Sequence, residues 1–513
     1  MWMQPLDPLQ SLVLSNLAAS LPILLLLLLL LLARSPGHVA AFISSLVTFV
    51  LAIFVWHMPV RLAFSSYAYG ALFGLWPITW IVLNAMLLFN LSEKVGSLEL
   101  LERWLTYSLP RELSLQVLFV SFLFAGFIEG IDGYGFPIAI ASAILTRLGL
   151  KPITAVSASL LANTITVPFA SLGVPLLTLS LVSNLNLRQV AVAASLQLMI
   201  FSLILPLCIV KTVSGWSGVR RSIGIALLTG LLLGLSVLTI SAYLNPSLAG
   251  VLGPLLTMAV VLLYFRLRHK LKSHMSAKNA LQGWLPWMYA IALMLSFSAL
   301  GLNKAVKYDF EIPYLHGGIY MRAYNKPLSA VYEWRPLTHG TLVLISSLLT
   351  AVSFKAGPRS LFQVAIKTFH QLKYAMLTIT QMMGIAFLMN CSGMTYILGN
   401  SLASTGWLFP LFSALIGWLG TFISGSSTGS NALFGALQRA SAESANLSPY
   451  LTVATNSTGG VLGKIVSLQS VSIGTSAVNV SGKEGEIVRR LLPYSLLLAA
   501  LLGVLALLQS RLP

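Results

Sequence analysis

Long apolar segments separated by short polar ones dominate this chain. Many reach the about 20 residues that a helix needs to cross the hydrocarbon core of a bilayer. The longest apolar runs fall at 10–33, 39–57, 66–90, 112–127, 190–210, 222–243, 247–265, 284–301, 338–354, 375–391, 406–424 and 490–509. This pattern predicts an all-α, polytopic integral membrane protein with about 12–14 spans.

Two regions, 130–185 and 425–482, stay apolar but are interrupted by Gly, Pro, Ser, Thr and Asn. Each has a glycine-rich opening, a helix-like run that a proline follows, and then an Asn next to a hydroxyl residue. The corresponding pairs are Lys151-Pro152 with Ser448-Pro449, and Asn163-Thr164 with Asn456-Ser457. Interrupted segments at matching places in two halves are typical of a transporter's binding site.

We therefore expect one transporter domain over 1–513 that contains two repeats. The first repeat core is predicted at 112–210, with its broken region at 127–175. The second is predicted at 406–509, with its broken region at 425–470.

Composition and charge support a membrane protein and exclude a nucleic-acid binder. Of the 513 residues, 57% are hydrophobic and only 9% are charged, with a mean hydropathy of +0.86; soluble domains carry about 25% charged residues.

The net charge is +18, and the densest basic stretch, 266–278, lies between apolar runs and lacks acids and interleaved aromatics. It predicts a cytoplasmic loop, which places the polar segment 302–337 outside. Cys208 and Cys391 lie apart, so neither a disulfide, a metal site nor a cofactor is predicted.

The interrupted regions have the chemistry to bind an anion. Non-helical backbone is tolerated at membrane depth where protein buries it or water reaches it. Glycine permits the necessary φ values, proline lacks an N–H, and broken helices present free N–H groups at a positive dipole end. A carboxylate could bind there.

Glu129 is the sharpest candidate for proton coupling, with Asp132 beside it. A carboxylate at the bilayer centre costs about 2.5–3.5 kcal/mol, and burial favours its neutral form. The alternative, a solvated position near the membrane surface, stays open for both acids. Lys464 could pair with Glu129 or with a substrate carboxylate, or it could extend to the interface. Gln469 and Ser470 could be ligands or helix-packing residues.

One motif match is rejected. Residues 425–429, "GSSTG", fit the G-x-S-x-G nucleophile elbow with Ser427 at its centre. That elbow needs a strand before it and a His–acid pair, whereas apolar membrane-length segments flank this one. A non-enzyme is predicted.

Four ordered blocks resemble the L-lactate permease family: "FIEGIDGYGFPIAIA" (127–141), "LLANTITVPFASLGVPL" (160–176), "GSNALFGALQ" (429–438) and "NSTGGVLGKIVSLQSVSIG" (456–474). The similarity covers essentially the whole chain. It implies an inverted-repeat fold with re-entrant hairpins, like that of the wider ion-transporter superfamily. It also implies proton symport of lactate and related 2-hydroxy acids such as glycolate across the bacterial inner membrane.

Matched to these blocks, the candidate site contains donors from both regions. Glu129 and Asp132 are the candidate proton-coupling residues. The candidate substrate-binding residues are Gly133, Tyr134, Gly135, Asn163, Thr164, Ser426, Thr428, Ser430, Asn431, Asn456, Ser457, Thr458, Lys464, Gln469 and Ser470. The chain departs from the family where Ser427 replaces an acid, where Leu468 replaces a proline, and where Asp132 occupies a usually neutral position.

The resulting prediction is a proton symporter whose partners are a small monocarboxylate, protons and membrane lipid, and not nucleic acid. Two alternatives stay open. A sodium-coupled carrier of another organic anion would use the same broken helices. A membrane-embedded hydrolase would need Ser427 as nucleophile.

Overall fold

The computed structural model describes residues 1–31, 33, 35–110, 112–131, 133, 135–269, 276–300, 306–322, 326–480 and 482–511. The basic loop predicted at 266–278 is therefore described only at its two ends.

Helices make up most of the described chain. In the first half they are α1 (Leu12–Leu31), α2 (Gly37–Val50), α3 (Val60–Phe73), α4 (Trp80–Lys94), α5 (Ser97–Ser108), α6 (Leu113–Val117), α7 (Ala125–Ile131), α8 (Phe136–Arg147), α9 (Pro152–Ala162), α10 (Ala170–Ser183) and α11 (Leu187–Thr239). In the second half they are α12 (Pro246–His269), α13 (Ala277–Ala299), α14 (His339–Ser353), α15 (Pro358–Ser392), α16 (Met394–Ala403), α17 (Phe409–Ser424), α18 (Ser427–Ser444), α19 (Pro449–Lys464), α20 (Leu468–Ala477) and α21 (Glu484–Gln509).

Short segments of other helical types extend these helices. The π-helical segments are Leu51–Val55, Gly74–Thr79, Leu118–Phe124 and Ile240–Leu244, and the 3₁₀ turns are Val167–Phe169 and Gly406–Leu408. Leu118–Phe124 joins α6 to α7, so the two helices form one continuous arm.

The all-α, membrane-spanning architecture predicted from the apolar runs is confirmed. In the described residues, ten helical stretches are long and apolar enough to cross a membrane, or eleven if the bent pair α9–α10 counts as one span. This count is below the predicted 12–14 partly because Leu187–Leu244 is a single stretch of 58 residues. At 1.5 Å per residue it is about 87 Å long, and Gly215 interrupts it with φ 65° and ψ −167°. It is long enough for two crossings.

The segment predicted as an external loop, 302–337, contributes strands to two small sheets, one of which also includes the N-terminus. β1 (Trp2–Met3) pairs in parallel with β3 (Ile319–Met321), and β3 pairs antiparallel with β4 (Lys326–Pro327). β2 (Tyr308–Glu311) pairs antiparallel with β5 (Val331–Trp334). The first residues of the chain are thus attached to a distant segment.

The order of elements repeats in the two halves. The arm α6–α7 and the helix α8 form a first hairpin, and α17 and α18 form a second. A helix broken midway follows each hairpin: α9 and α10 in the first half, α19 and α20 in the second. In the first half the break bends the path by 70°.

The two hairpins lie at opposite ends of the bent pair α9–α10. Near the end of α18, Arg439 Nη1 donates to Ser183 O at 2.7 Å, where α10 ends. Near the start of α21, Arg490 Nη2 donates to Thr212 O at 2.9 Å. Arg490 Nη1 donates to Thr154 Oγ1, near the start of α9, at 3.5 Å. Because α8 leads directly into α9, the first hairpin opens at the start of the pair α9–α10 and the second at its end. Inverted repeats would produce such an arrangement.

The first hairpin packs closely against α12. A Cβ atom added at Gly130 would lie 2.2 Å from the backbone oxygen of Gly250. We expect Gly130→Ala to destabilise the protein by about 1–3 kcal/mol or more, because the backbone of α12 would have to move. Thermal unfolding of the purified protein measures this loss. Gly224→Ala is the matched control, since a Cβ there meets nothing within 4 Å; equal stability of the two variants would contradict the close packing.

Candidate substrate-binding site

Glu129 is buried where helices from the two halves of the chain meet. It is on α7, all of whose residues are buried, and its side chain is 0% exposed. Glu129 Oε1 accepts a hydrogen bond from Lys464 Nζ at 2.7 Å, and Oε2 accepts one from Asn163 Nδ2 at 2.8 Å. We call Glu129, Asn163 and Lys464 the Glu129 site. It joins one residue of the second repeat to two of the first.

The broken helices bring both partners to Glu129. Pro152 begins α9, which ends at Ala162, and Asn163 follows with non-helical φ −79° and ψ 72°. Lys464 is the last residue of α19, which Pro449 begins. Each helix thus stops where a polar side chain reaches the carboxylate, because the break puts its end inside the protein instead of at the surface.

The pair Glu129–Lys464 is a buried ion pair, with side-chain exposures of 0% and 7%. In the other ion pairs of the described residues, both side chains are at least 21% exposed. Removing one partner of a buried pair leaves an uncompensated charge and costs about 3–5 kcal/mol. Such a pair is a weak source of stability, which favours a functional reason for its presence.

Two buried polar atoms beside this pair have no hydrogen-bond partner among the described residues. They are Asn163 Oδ1 and Thr166 Oγ1, on residues that are each 1% exposed. A Cβ atom at Gly126 would lie 3.5 Å from Thr166 Oγ1, so Thr166 faces α7 about one turn before Glu129. An unpaired buried polar atom costs about 1–3 kcal/mol. A ligand could pair with both. Thr166 was not among the site residues predicted from the sequence, although it comes three residues after Asn163 in the same block.

The chain after Asn163 has an unusual backbone. Ser171, Leu172 and Gly173 have φ values of 44°, 61° and 84°. The left-handed conformation costs a non-glycine residue about 1–3 kcal/mol, and such residues cluster at functional sites. A Cβ atom at Gly133 would lie 2.6 Å from Ser171 Oγ, so this turn contacts the tip of the first hairpin.

Both hairpin tips also meet α20. Gly133 and Gly135, predicted to break the first hairpin, have φ values of 71° and 89°, and Gly425 at the second tip has φ 68°. A Cβ atom at Gly135 would lie 2.5 Å from Ile473 Cδ1, and one at Gly425 would lie 2.3 Å from Gln469 Oε1. Gln469 is exposed. The two tips therefore lie close to α20, and the first tip also lies close to the turn after Asn163.

A second group of predicted ligands has its polar atoms engaged within the protein. Asn431 Nδ2 donates to Pro175 O at 2.9 Å and to Ser457 Oγ at 3.1 Å. Asn456 Nδ2 donates to Asn431 Oδ1 at 3.0 Å, and Asn456 Oδ1 accepts from Gln438 Nε2 at 3.3 Å. This amide chain fastens the second hairpin to α10 and α19. A substrate role for Asn431, Asn456 and Ser457 stays a prediction.

The predicted correspondence of Asn163 with Asn456 is wrong in the structure. Asn163 follows the end of α9, whereas Asn456 lies in the middle of α19. The reason is helix length: α9 has 11 residues and α19 has 16, although each begins at a proline. Lys464, at the end of α19, occupies the place that Asn163 occupies after α9.

The remaining hydroxyl candidates donate to other groups of the protein. Thr164 Oγ1 donates to Leu161 O at 3.2 Å, and Thr458 Oγ1 donates to Gln197 Oε1 at 2.6 Å. Ser430 Oγ donates to Gly417 O at 3.3 Å.

Two other serines cap helices. Ser426 Oγ accepts from the Gly429 N–H at 3.0 Å at the start of α18, where Thr428 is half-buried. Ser467 Oγ accepts from the Ser470 N–H at 3.3 Å and lies 2.9 Å from Ser470 Oγ at the start of α20. Asp132 and Tyr134 lie outside the described residues.

Comparison with known proteins identifies the family. The family model described as L-lactate permease matches residues 15–513. The chain is 33% identical to the glycolate permease GlcA of Escherichia coli, with 99% of this chain and 98% of the relative covered. It is 31% identical to the L-lactate permease of the same species, with the same coverage. Among solved structures it is similar to MtrF of Neisseria gonorrhoeae, at a TM-score of 0.47 and 14% identity over 87% of this chain and 83% of that one.

The family match covers both hairpins, both broken helices and the Glu129 site. Permeases carry solutes across membranes, so the chain is a multi-pass membrane transporter and not an enzyme. The protein belongs to the L-lactate permease family.

Proposed function

We propose that this protein is a proton symporter of a small 2-hydroxy monocarboxylate, lactate or glycolate, in the bacterial inner membrane. The relatives named above support the substrate class, because they include both an L-lactate and a glycolate permease. The observation that carries the mechanism is the buried contact of Glu129 with Lys464 and Asn163.

In this proposal Glu129 occupies the place of a substrate carboxylate. Its two oxygens use one ammonium donor and one amide donor, which is the donor set that a monocarboxylate would need. Protonation of Glu129 removes the negative charge that holds Lys464. The ammonium and the amide N–H then become available to a substrate carboxylate.

The charge of the site explains why proton and substrate move together. The empty site contains Lys464⁺ and Glu129⁻, with a sum of zero. The loaded site contains Lys464⁺, neutral Glu129 and the substrate anion, again with a sum of zero. With Lys464 protonated, a proton without the anion or an anion without the proton leaves an uncompensated charge in a buried site, which is costly. The site therefore alternates between the two faces of the membrane in two states: empty, or loaded with one proton and one anion. In this proposal the two hairpins form the two sides of the site.

Uptake of labelled lactate and glycolate into proteoliposomes tests this function. We expect accumulation when the interior is made alkaline, without any Na⁺ gradient, and competition from other 2-hydroxy acids. Accumulation that follows a Na⁺ gradient at equal pH would favour the sodium-coupled alternative instead. Lack of uptake of either acid by well-folded protein would refute the substrate assignment.

A further inference from the structure

We infer that Asn163 and Thr166 form a subsite that selects acids with a 2-hydroxyl group over 2-oxo acids and unsubstituted acids. This inference rests on the proposed function and assigns a specificity to the same site. Thr166 was not predicted to bind substrate from the sequence. Asn163 would bind the substrate hydroxyl in addition to its contact with Glu129.

The subsite is defined by atoms that the protein leaves unpaired. Asn163 Nδ2 donates to Glu129 Oε2 at 2.8 Å, so the amide oxygen Oδ1 points away from the carboxylate. Neither this oxygen nor Thr166 Oγ1 has a partner among the described residues, and both residues are buried. Both belong to the break that follows α9, and Thr166 faces α7 at Gly126.

An amide is complementary to a 2-hydroxy acid. Asn163 presents a donor and an acceptor side by side. A 2-hydroxy carboxylate presents an acceptor, its carboxylate oxygen, beside a donor, its hydroxyl. When the substrate carboxylate replaces Glu129 on Lys464 and Asn163 Nδ2, its hydroxyl can donate to Asn163 Oδ1. The Thr166 hydroxyl can then donate to the same substrate oxygen, so every polar atom is paired.

Other small acids leave this pairing incomplete. A 2-oxo acid such as pyruvate has only an acceptor at that position, which would face the Asn163 oxygen without a proton between them. An unsubstituted acid such as propionate has no polar atom there, and both protein atoms stay unpaired. A site that is built to bond a substrate hydroxyl rejects analogues without it strongly.

Thr166→Val tests the subsite because valine has the shape of threonine without the hydroxyl. The measurement is the apparent affinity for lactate, pyruvate and propionate, from competition against labelled lactate in proteoliposomes. We expect lactate affinity to fall about tenfold, the size of one lost hydrogen bond, and propionate affinity to stay unchanged. Thr166→Ser should retain the wild-type preference. Thr229→Val is the control, since Thr229 is equally buried and its hydroxyl bonds within α11.

The outcomes separate this inference from the proposed function. If the wild type takes up lactate but Thr166→Val changes lactate and propionate affinities equally, or changes neither, the subsite is refuted and the function stands. A wild type that binds pyruvate or propionate as well as lactate also refutes the subsite. If the wild type takes up neither lactate nor glycolate, the proposed function itself fails.

Discussion

Glu129→Gln should abolish the accumulation of lactate driven by a pH gradient and leave lactate exchange intact. Glutamine resembles the protonated glutamate in shape, and it keeps an acceptor oxygen near Lys464. The variant can therefore bind the anion and carry it in both directions, but it cannot carry a proton. We expect internal lactate not to rise above the external concentration under any imposed pH gradient, because no coupling free energy remains.

Two further measurements make this prediction specific. Exchange of labelled for unlabelled lactate should continue and lose its dependence on pH. Substrate should also raise the thermal stability of Glu129→Gln more than that of the wild type, because the anion compensates the otherwise unpaired Lys464 charge. Glu443→Gln is the control, since Glu443 also pairs with a base, Arg439 at 2.8 Å, but at a more exposed position. Full pH-driven accumulation in Glu129→Gln would rule out Glu129 as the coupling residue.

Lys464→Met should lose both substrate binding and stability. Glu129 would keep its buried position without a counter-charge, and the loss of one partner of such a pair costs about 3–5 kcal/mol. The substrate carboxylate would also lose its only charged donor in the Glu129 site. We expect no uptake, no exchange and a lower unfolding temperature.

The double variant Lys464→Met with Glu129→Gln separates stability from transport. Replacing both charges removes the uncompensated carboxylate, so stability should return close to that of the wild type. Transport should stay absent, because the ammonium that binds the substrate is missing. If the double variant transports lactate, Lys464 does not bind the substrate carboxylate. If Lys464→Met alone is as stable as the wild type, Glu129 does not remain as an uncompensated charge when Lys464 is absent.

The positions of the helix breaks could be predicted from the sequence, because glycine and proline have strong local effects. The glycines of "GIDGYG" and "GSSTG" mark the two hairpin tips, and Pro152 and Pro449 mark the starts of the broken helices. The burial of Glu129 was one of two possibilities that the sequence left open, since its flanks are apolar but Asp132 lies three residues away. The helix breaks depend on local chemistry, which a single sequence contains.

Pairing between distant residues could not be predicted in the same way. Lys464 lies 335 residues after Glu129, and a contact, a substrate role and an interfacial position were all compatible with the sequence. The choice depends on how the two halves of the chain meet. The length of α19 was equally hidden, because no residue signals that it continues past Asn456 to Lys464. The strands of two to four residues in the external segment are too short to show a periodic pattern.

Proton uptake on substrate binding is the most direct test of the competition between Glu129 and substrate for Lys464. Purified protein in a weakly buffered solution is mixed with lactate at a pH where the empty site holds ionised Glu129, and the pH change is compared with the amount bound. We predict uptake of about one proton per lactate by the wild type, and none by Glu129→Gln. Binding without proton uptake in the wild type, or equal uptake by the variant, would contradict the proposed coupling.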